Sequence, residues 1–228
     1  MAKPWIIVLI GLAVLAATVA VVGLRRRSPA GARGAAVGPS TESMVAPGFE
    51  PTVATDEALD DGTGESELQA LPDVLVDPAV LVEKRRRRLT VFSAGEAVKR
   101  YRIALGGDPV GDKELDGDSR TPEGEFYVCT RNAESKYHRS MGLSYPNAED
   151  ADRGLETRAI SKREHRAIVD ALRHMTQPPW KTRLGGEIMI HGGGTHADWT
   201  DGCIALSDNE AEELFAALPL GTPVDIVP

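Results

Sequence analysis

The sequence predicts an α+β fold, mainly β with a few helices, confined to residues 81–228 of a 228-residue chain. Three observations predict it. Short alternating apolar runs bounded by turn residues recur throughout this region. Only two segments there pair a helix-start signal with apolar residues at helical spacing. The residues before 81 have a different composition, with one long apolar run and then an acidic stretch rich in Gly, Ala and Pro. With 42% apolar residues overall, the chain can furnish a core for one domain of roughly 145 residues.

Taken in order, Arg85–Arg88 is a basic run that reads as a solvated strand edge, with contact to an anionic surface as the alternative. Arg88–Phe92 and Ala97–Leu105 alternate as hairpin strands across Ser93-Ala94-Gly95-Glu96. Asp112, Asp116 and Asp118, with Gly111 and Gly117, lack calcium-loop spacing and read as turn residues. Glu125–Thr130 is a strand in which Cys129 reads as a structural thiol. Ser161 and Glu164 form a capping box ahead of Ile168, Leu172 and Met175, a helix ending before Pro178-Pro179. Glu187–Ile190 is a short buried strand with His191 and Gly192 at its exit. Ser207 and Glu210 repeat the capping box before Leu214, Phe215 and Leu218, and Val224–Val227 is a closing strand. No internal repeat is visible.

The chemistry concentrates between Glu187 and Phe215. His191 ends an apolar run, and twelve positions later Cys203 follows Gly202 just upstream of a helix start. A thiolate is favoured by a nearby imidazole and by the positive end of a helix. A glycine before the nucleophile lets backbone N–H groups approach a developing oxyanion. Cys203 as nucleophile and His191 as base would make an acyl-transfer enzyme.

These residues resemble the active-site signature of the L,D-transpeptidases, the YkuD-type catalytic domain. The resemblance rests on I-H-G followed by T-D-G-C-I-A-L, and on the G-D and T-P-x-G elements within Gly106–Gly124. Ser135-Lys136-Tyr137-His138, Ser144-Tyr145-Pro146-Asn147 and D-W-T-x-G-C-I-A resemble a narrower, YafK-like branch. The similarity covers roughly residues 81–228. It implies a β-sandwich-like domain with Cys203 as nucleophile and His191 as general base. Gly202 and the Cys203 N–H would stabilise the oxyanion, with Thr200 and Asp201 positioning that turn. Lys136, Tyr137, His138, Trp199 and Tyr145 would contact substrate. Asp201 and Ala205 depart from the broad pattern, which more often has histidine or lysine, and arginine or asparagine, there; the His-to-Cys interval is also shorter than in many members.

The implied substrate is the stem peptide of peptidoglycan, attacked at an L,D-linkage next to meso-diaminopimelate. An amine acceptor gives a cross-link; water gives a carboxypeptidase, or an amidase that releases a wall-linked lipoprotein. Both reactions use the same residues. No cofactor, metal or nucleic-acid partner is implied.

Other readings stay open at this level. His196 in its Gly-rich loop reads as solvent-exposed. Asp198 could orient an imidazole or serve as a turn residue, and Trp199 could line the groove or pin its loop to the core. Lys136–Arg139 reads as a loop suited to a carboxylate. A zinc peptidase drawing on His191, His196, Asp198 and Cys203 is the remote alternative, without the paired ligand spacing such sites use. A non-catalytic wall-binding module would need neither Cys203 nor His191.

Residues 1–27 form a separate unit. Trp5–Leu24 is uncharged and long enough to cross a bilayer, with Arg25-Arg26-Arg27 directly after it, so an uncleaved membrane anchor is favoured over a cleaved signal. The arginines would place the C-terminal side in the cytoplasm, whereas the implied substrate lies in the periplasm or wall; the catalytic signature, resting on more positions, is given precedence. A cytoplasmic thiol enzyme is what the arginines alone would suggest. Residues 28–80 are a linker, with ten Asp or Glu and no Lys or Arg between Gly34 and Val80; against a chain total of −8, the rest of the chain carries +2. Such a stretch is expected to be disordered, spanning roughly 40 Å as a flexible coil and allowing an anchored domain to reach the wall.

Overall fold

A computed structural model describes residues 71, 72 and 74–228, all within the second of the two units into which the chain divides, Ala46–Pro228. The expected anchor at 1–27 and nearly all of the acidic linker at 28–80 lie outside the described residues. Among the described residues, no helix is long and apolar enough to cross a membrane.

The elements are β1 (Ala79–Glu83), β2 (Arg88–Ser93), β3 (Glu96–Arg102), β4 (Gly124–Ser135), β5 (His138–Leu143), α1 (Ala148–Glu156), α2 (Lys162–Arg173), β6 (Met189–His191), β7 (Ile204–Ala205), α3 (Asp208–Ala217) and β8 (Pro223–Val227). The strands form one sheet in the order β3-β2-β1-β8-β4-β5-β6-β7. Neighbours are antiparallel except for the β1–β8 and β6–β7 pairs, which are parallel. The two ends of this order meet: past β3, Ala104 exchanges backbone hydrogen bonds with Ala205 of β7 at 2.9 and 2.8 Å. The sheet therefore curls on itself into a sandwich-like half-barrel that leaves less open edge to template aggregation.

Its interior is filled by alternate residues of the strands, among them Val82, Leu89, Val91, Val128, Leu143, Ile190 and Ile204, with Leu206, Leu214 and Leu218 covering one end from α3 and its flanks. Each such side chain, fully withdrawn from water, contributes about 1.5–3 kcal/mol. A second, smaller core of Ala151, Ile160, Ile168 and Leu184 joins α1 to α2.

Several expectations need revision. β1 begins at Ala79, before the anticipated boundary at 81, and the preceding chain is already tied down: the Leu71 N–H donates to Glu213 at 3.0 Å, and Leu71 and Leu75 pack on the core. Of residues 136–139, read as a loop, Lys136 and Tyr137 are the two-residue turn of a long β4–β5 hairpin and His138 and Arg139 already belong to β5, with Ser135 paired to His138. α1 escaped notice because its capping box uses Asn147 and Asp150 in place of Ser and Glu. Met175 does not belong to α2; it follows the C-cap with φ 53° and stands exposed. The strand expected at Glu187–Ile190 is displaced to Met189–His191, because Glu187 adopts φ 56°.

Candidate active site

His191 ends β6, and Cys203 stands immediately before β7. The parallel register of these strands pairs Ile190 with Ile204 and His191 with Ala205. Side chains alternate along a strand, so Cys203, one residue before β7, shares a face with Met189 and His191. The Met189 N–H donates to the Cys203 sulfur at 3.4 Å, and the thiol donates to the Glu187 carbonyl at 3.5 Å. The thiol is not hydrogen-bonded to His191. The helix expected from Ser207 and Glu210 is α3, N-capped by Ser207, and its first residue, Asp208, accepts the Gly193 N–H at 2.9 Å.

The turn before Cys203 is built by Thr200, which is buried. Its hydroxyl donates to the Cys203 carbonyl at 2.7 Å and accepts the Gly202 N–H at 3.2 Å. Gly202 has φ 125°, and a Cβ there would lie 2.6 Å from the Arg120 carbonyl oxygen. Only glycine satisfies both constraints. The Gly202 N–H is thus spent on the turn.

Burial pushes the Cys203 thiol up to about 11; Asp201 and Glu187 add to the rise, and the Met189 N–H and the more distant Lys113 offset it only in part. The thiolate anticipated from the sequence is therefore not the resting form. His191 is buried at the sheet end, and its Nδ1 lies 2.5 Å from the Gly192 carbonyl. A carbonyl only accepts, so Nδ1 carries the proton and Nε2 of the neutral ring is left as the acceptor. Burial, with the charge of Lys136, holds this imidazole below its ordinary value, against a smaller opposing effect of the Gly192 contact. Both groups rest neutral.

The remaining candidates divide. Tyr137 stacks on His191 at 4.8 Å between ring centroids, and Trp199 meets both rings edge-on at 5.7 and 5.4 Å. Lys136 Nζ lies 4.7 Å from the centre of the Tyr137 ring. His138 instead pairs with Glu212 of α3 at 2.7 Å. Tyr145 is fully buried, with its hydroxyl donating to the Leu184 carbonyl at 3.0 Å, so it is a core residue and presents no surface to a substrate.

Asp198 does not touch His191. It accepts two bonds from Arg87 Nε, one from Arg87 Nη2 at 2.6 Å, and the Leu105 N–H at 2.9 Å. Arg87 thereby leaves the solvated run to which the sequence assigned it and anchors the loop that carries Trp199. No local signal could have revealed this, since the partners lie on separate elements far apart in the chain. His196 is exposed, as read. Neither cysteine is in a disulfide, and burial raises the Cys129 thiol to about 12. Among the described residues, no group of three or more His, Cys, Asp or Glu side chains is placed to hold a metal ion.

A curled, mainly β sheet with cysteine and imidazole on adjacent strand ends defines the class of domain. The sequence model of the YkuD L,D-transpeptidase catalytic domain matches residues 77–226, and the chain belongs to that family. The family acts on peptidoglycan stem peptides in the cell envelope. YafK of Escherichia coli K12, itself only provisionally assigned as an L,D-transpeptidase, is 27% identical over 130 residues, covering 54% of this chain and 39% of that protein. The chain thus matches well under half the length of this curated relative. Among solved structures, the helical cell shape determining protein Pgp2 of Campylobacter jejuni is similar at 23% identity and a TM-score of 0.45, over 72% of this chain and 51% of that one. An L,D-transpeptidase of Xylanimonas cellulosilytica is similar at 16% identity and a TM-score of 0.39, over 68% and 63%.

Proposed function

We propose that the chain is a cysteine acyltransferase that attacks peptidoglycan stem peptides at an L,D-linkage, with Cys203 as nucleophile and His191 as general base. The observation that carries this reading is the β6–β7 pairing, which sets the thiol and an imidazole with an available Nε2 on one face of the sheet. As the sulfur bonds to the amide carbonyl carbon, its proton passes to Nε2 and the carbonyl oxygen becomes an oxyanion facing the Cys203 N–H. Collapse expels the amine, which takes the proton from the imidazolium, and leaves a thioester on Cys203. An amine acceptor then attacks the thioester, giving up a proton through His191, and the thiol is restored.

With neutral partners in the resting state, proton transfer accompanies attack instead of preceding it. Lys136 and Trp199, beside the imidazole, are placed to contact the stem peptide, and Asp201 is the exposed charge next to the nucleophile. The apolar segment at Trp5–Leu24 would tether the enzyme to the inner membrane with its catalytic domain in the periplasm. Incubating the full chain with purified muropeptides and weighing the products names the reaction. A 3–3 cross-linked dimer is the result this reading expects. Loss of a single stem residue, or release of a wall-linked lipoprotein, assigns water as the acceptor. Unchanged products with Cys203→Ala would rule out the mechanism.

A further inference from the structure

Among the described residues, no carboxylate orients the imidazole of His191 as one commonly does for a catalytic base. The acidic side chains that could have served are committed elsewhere. Asp198 is held by Arg87 and the Leu105 N–H, Asp208 accepts the Gly193 N–H, and Glu212 pairs with His138 and Arg139. One hydrogen bond from Nδ1 to the adjacent carbonyl fixes a ring atom but leaves the ring plane weakly held. What fixes the plane is aromatic. Tyr137 lies against the imidazole with 22° between the planes, and Trp199 closes the edge of both rings at 64–65°.

Each of these rings is in turn locked to the loop that follows His191. The Gly192 N–H donates to the Tyr137 carbonyl at 3.0 Å, and the Trp199 indole N–H donates to the Gly194 carbonyl at 3.1 Å. A Cβ on Gly193, which has φ 110°, would come within 3.0 Å of the Trp199 ring. The glycine therefore admits the indole. The Tyr137 hydroxyl takes no part in any of these contacts.

We propose that Tyr137, at the tip of the β4–β5 hairpin, is a positioning residue: its ring holds the His191 imidazole in the plane needed for proton transfer, in place of a carboxylate. This deepens the reading of His191 as the base and rests on it. The rings facing the imidazole are Tyr137 from the hairpin and Trp199 from the loop.

The test uses the full chain with Tyr137→Leu and Tyr137→Phe. An aromatic pair contributes about 0.5–1.5 kcal/mol beyond its area, so Tyr137→Leu should lower kcat by up to about tenfold and leave KM nearly unchanged. Tyr137→Phe should restore the wild-type rate, because the hydroxyl is unused. A raised KM with unchanged kcat in Tyr137→Leu, or a Phe variant as poor as the Leu variant, would overturn the proposal.

Discussion

Burial is the main force against ionisation of Cys203; Asp201 and Glu187 add to it, and the Met189 N–H and Lys113 offset it only in part. Thiol reactivity follows the thiolate fraction. With the thiol raised to about 11, alkylation of Cys203 by iodoacetamide should climb about tenfold per pH unit between pH 7 and 9 without levelling. Cys129, raised to about 12 by its own burial, is removed from the measurement by Cys129→Ser. A plateau reached below pH 8 would mean that a pre-formed thiolate–imidazolium pair had been missed. Asp201→Asn should increase alkylation at a given pH, because it removes one of the two nearby negative charges.

The elements around the site depend on a contact between distant parts of the chain. Arg87 in the β1–β2 turn grips Asp198, which also accepts the N–H of the buried Leu105. Asp198→Ala leaves that N–H without its acceptor and should cost about 1–3 kcal/mol in denaturant unfolding. Burial raises the Asp198 carboxyl, but the bonds from Arg87 and Leu105 outweigh it and hold the group below its ordinary value of 3.8. A depressed carboxyl contributes stability that is present above pH 3.8 and is lost as pH falls through the folded value. The destabilisation by Asp198→Ala should therefore be larger at pH 7 than at pH 3; an equal effect at both would show that the charge is immaterial.

This contact also marks how far the sequence could be read. The Ser207–Glu210 and Ser161–Glu164 boxes were legible because capping is local, as was the His191–Cys203 pair because both flank short apolar runs. Asp198 was not, since its partner is fixed only once the sheet curls. Tyr145 was misassigned to the groove because a motif records which residue stands at a position and not which way its side chain points. The stacking of Tyr137 on His191 likewise needs the hairpin register, in which Ser140 pairs with His191.

For the whole molecule, the bridge between Ala104 and Ala205 joins the two ends of the strand order, next to the β6–β7 pair. The proposed acyl-transfer chemistry rests on that juxtaposition, and the family match over residues 77–226 spans the same sheet. The central claim is that a stem peptide becomes bonded to Cys203. Intact-mass spectrometry of the full chain, quenched in acid during turnover of muropeptides, tests it most directly. The account predicts an adduct equal to the stem peptide less its leaving amine, located on the Cys203 peptide, formed more slowly by His191→Ala and absent from Cys203→Ala. Continued turnover by Cys203→Ala, or an adduct on another residue, would contradict it.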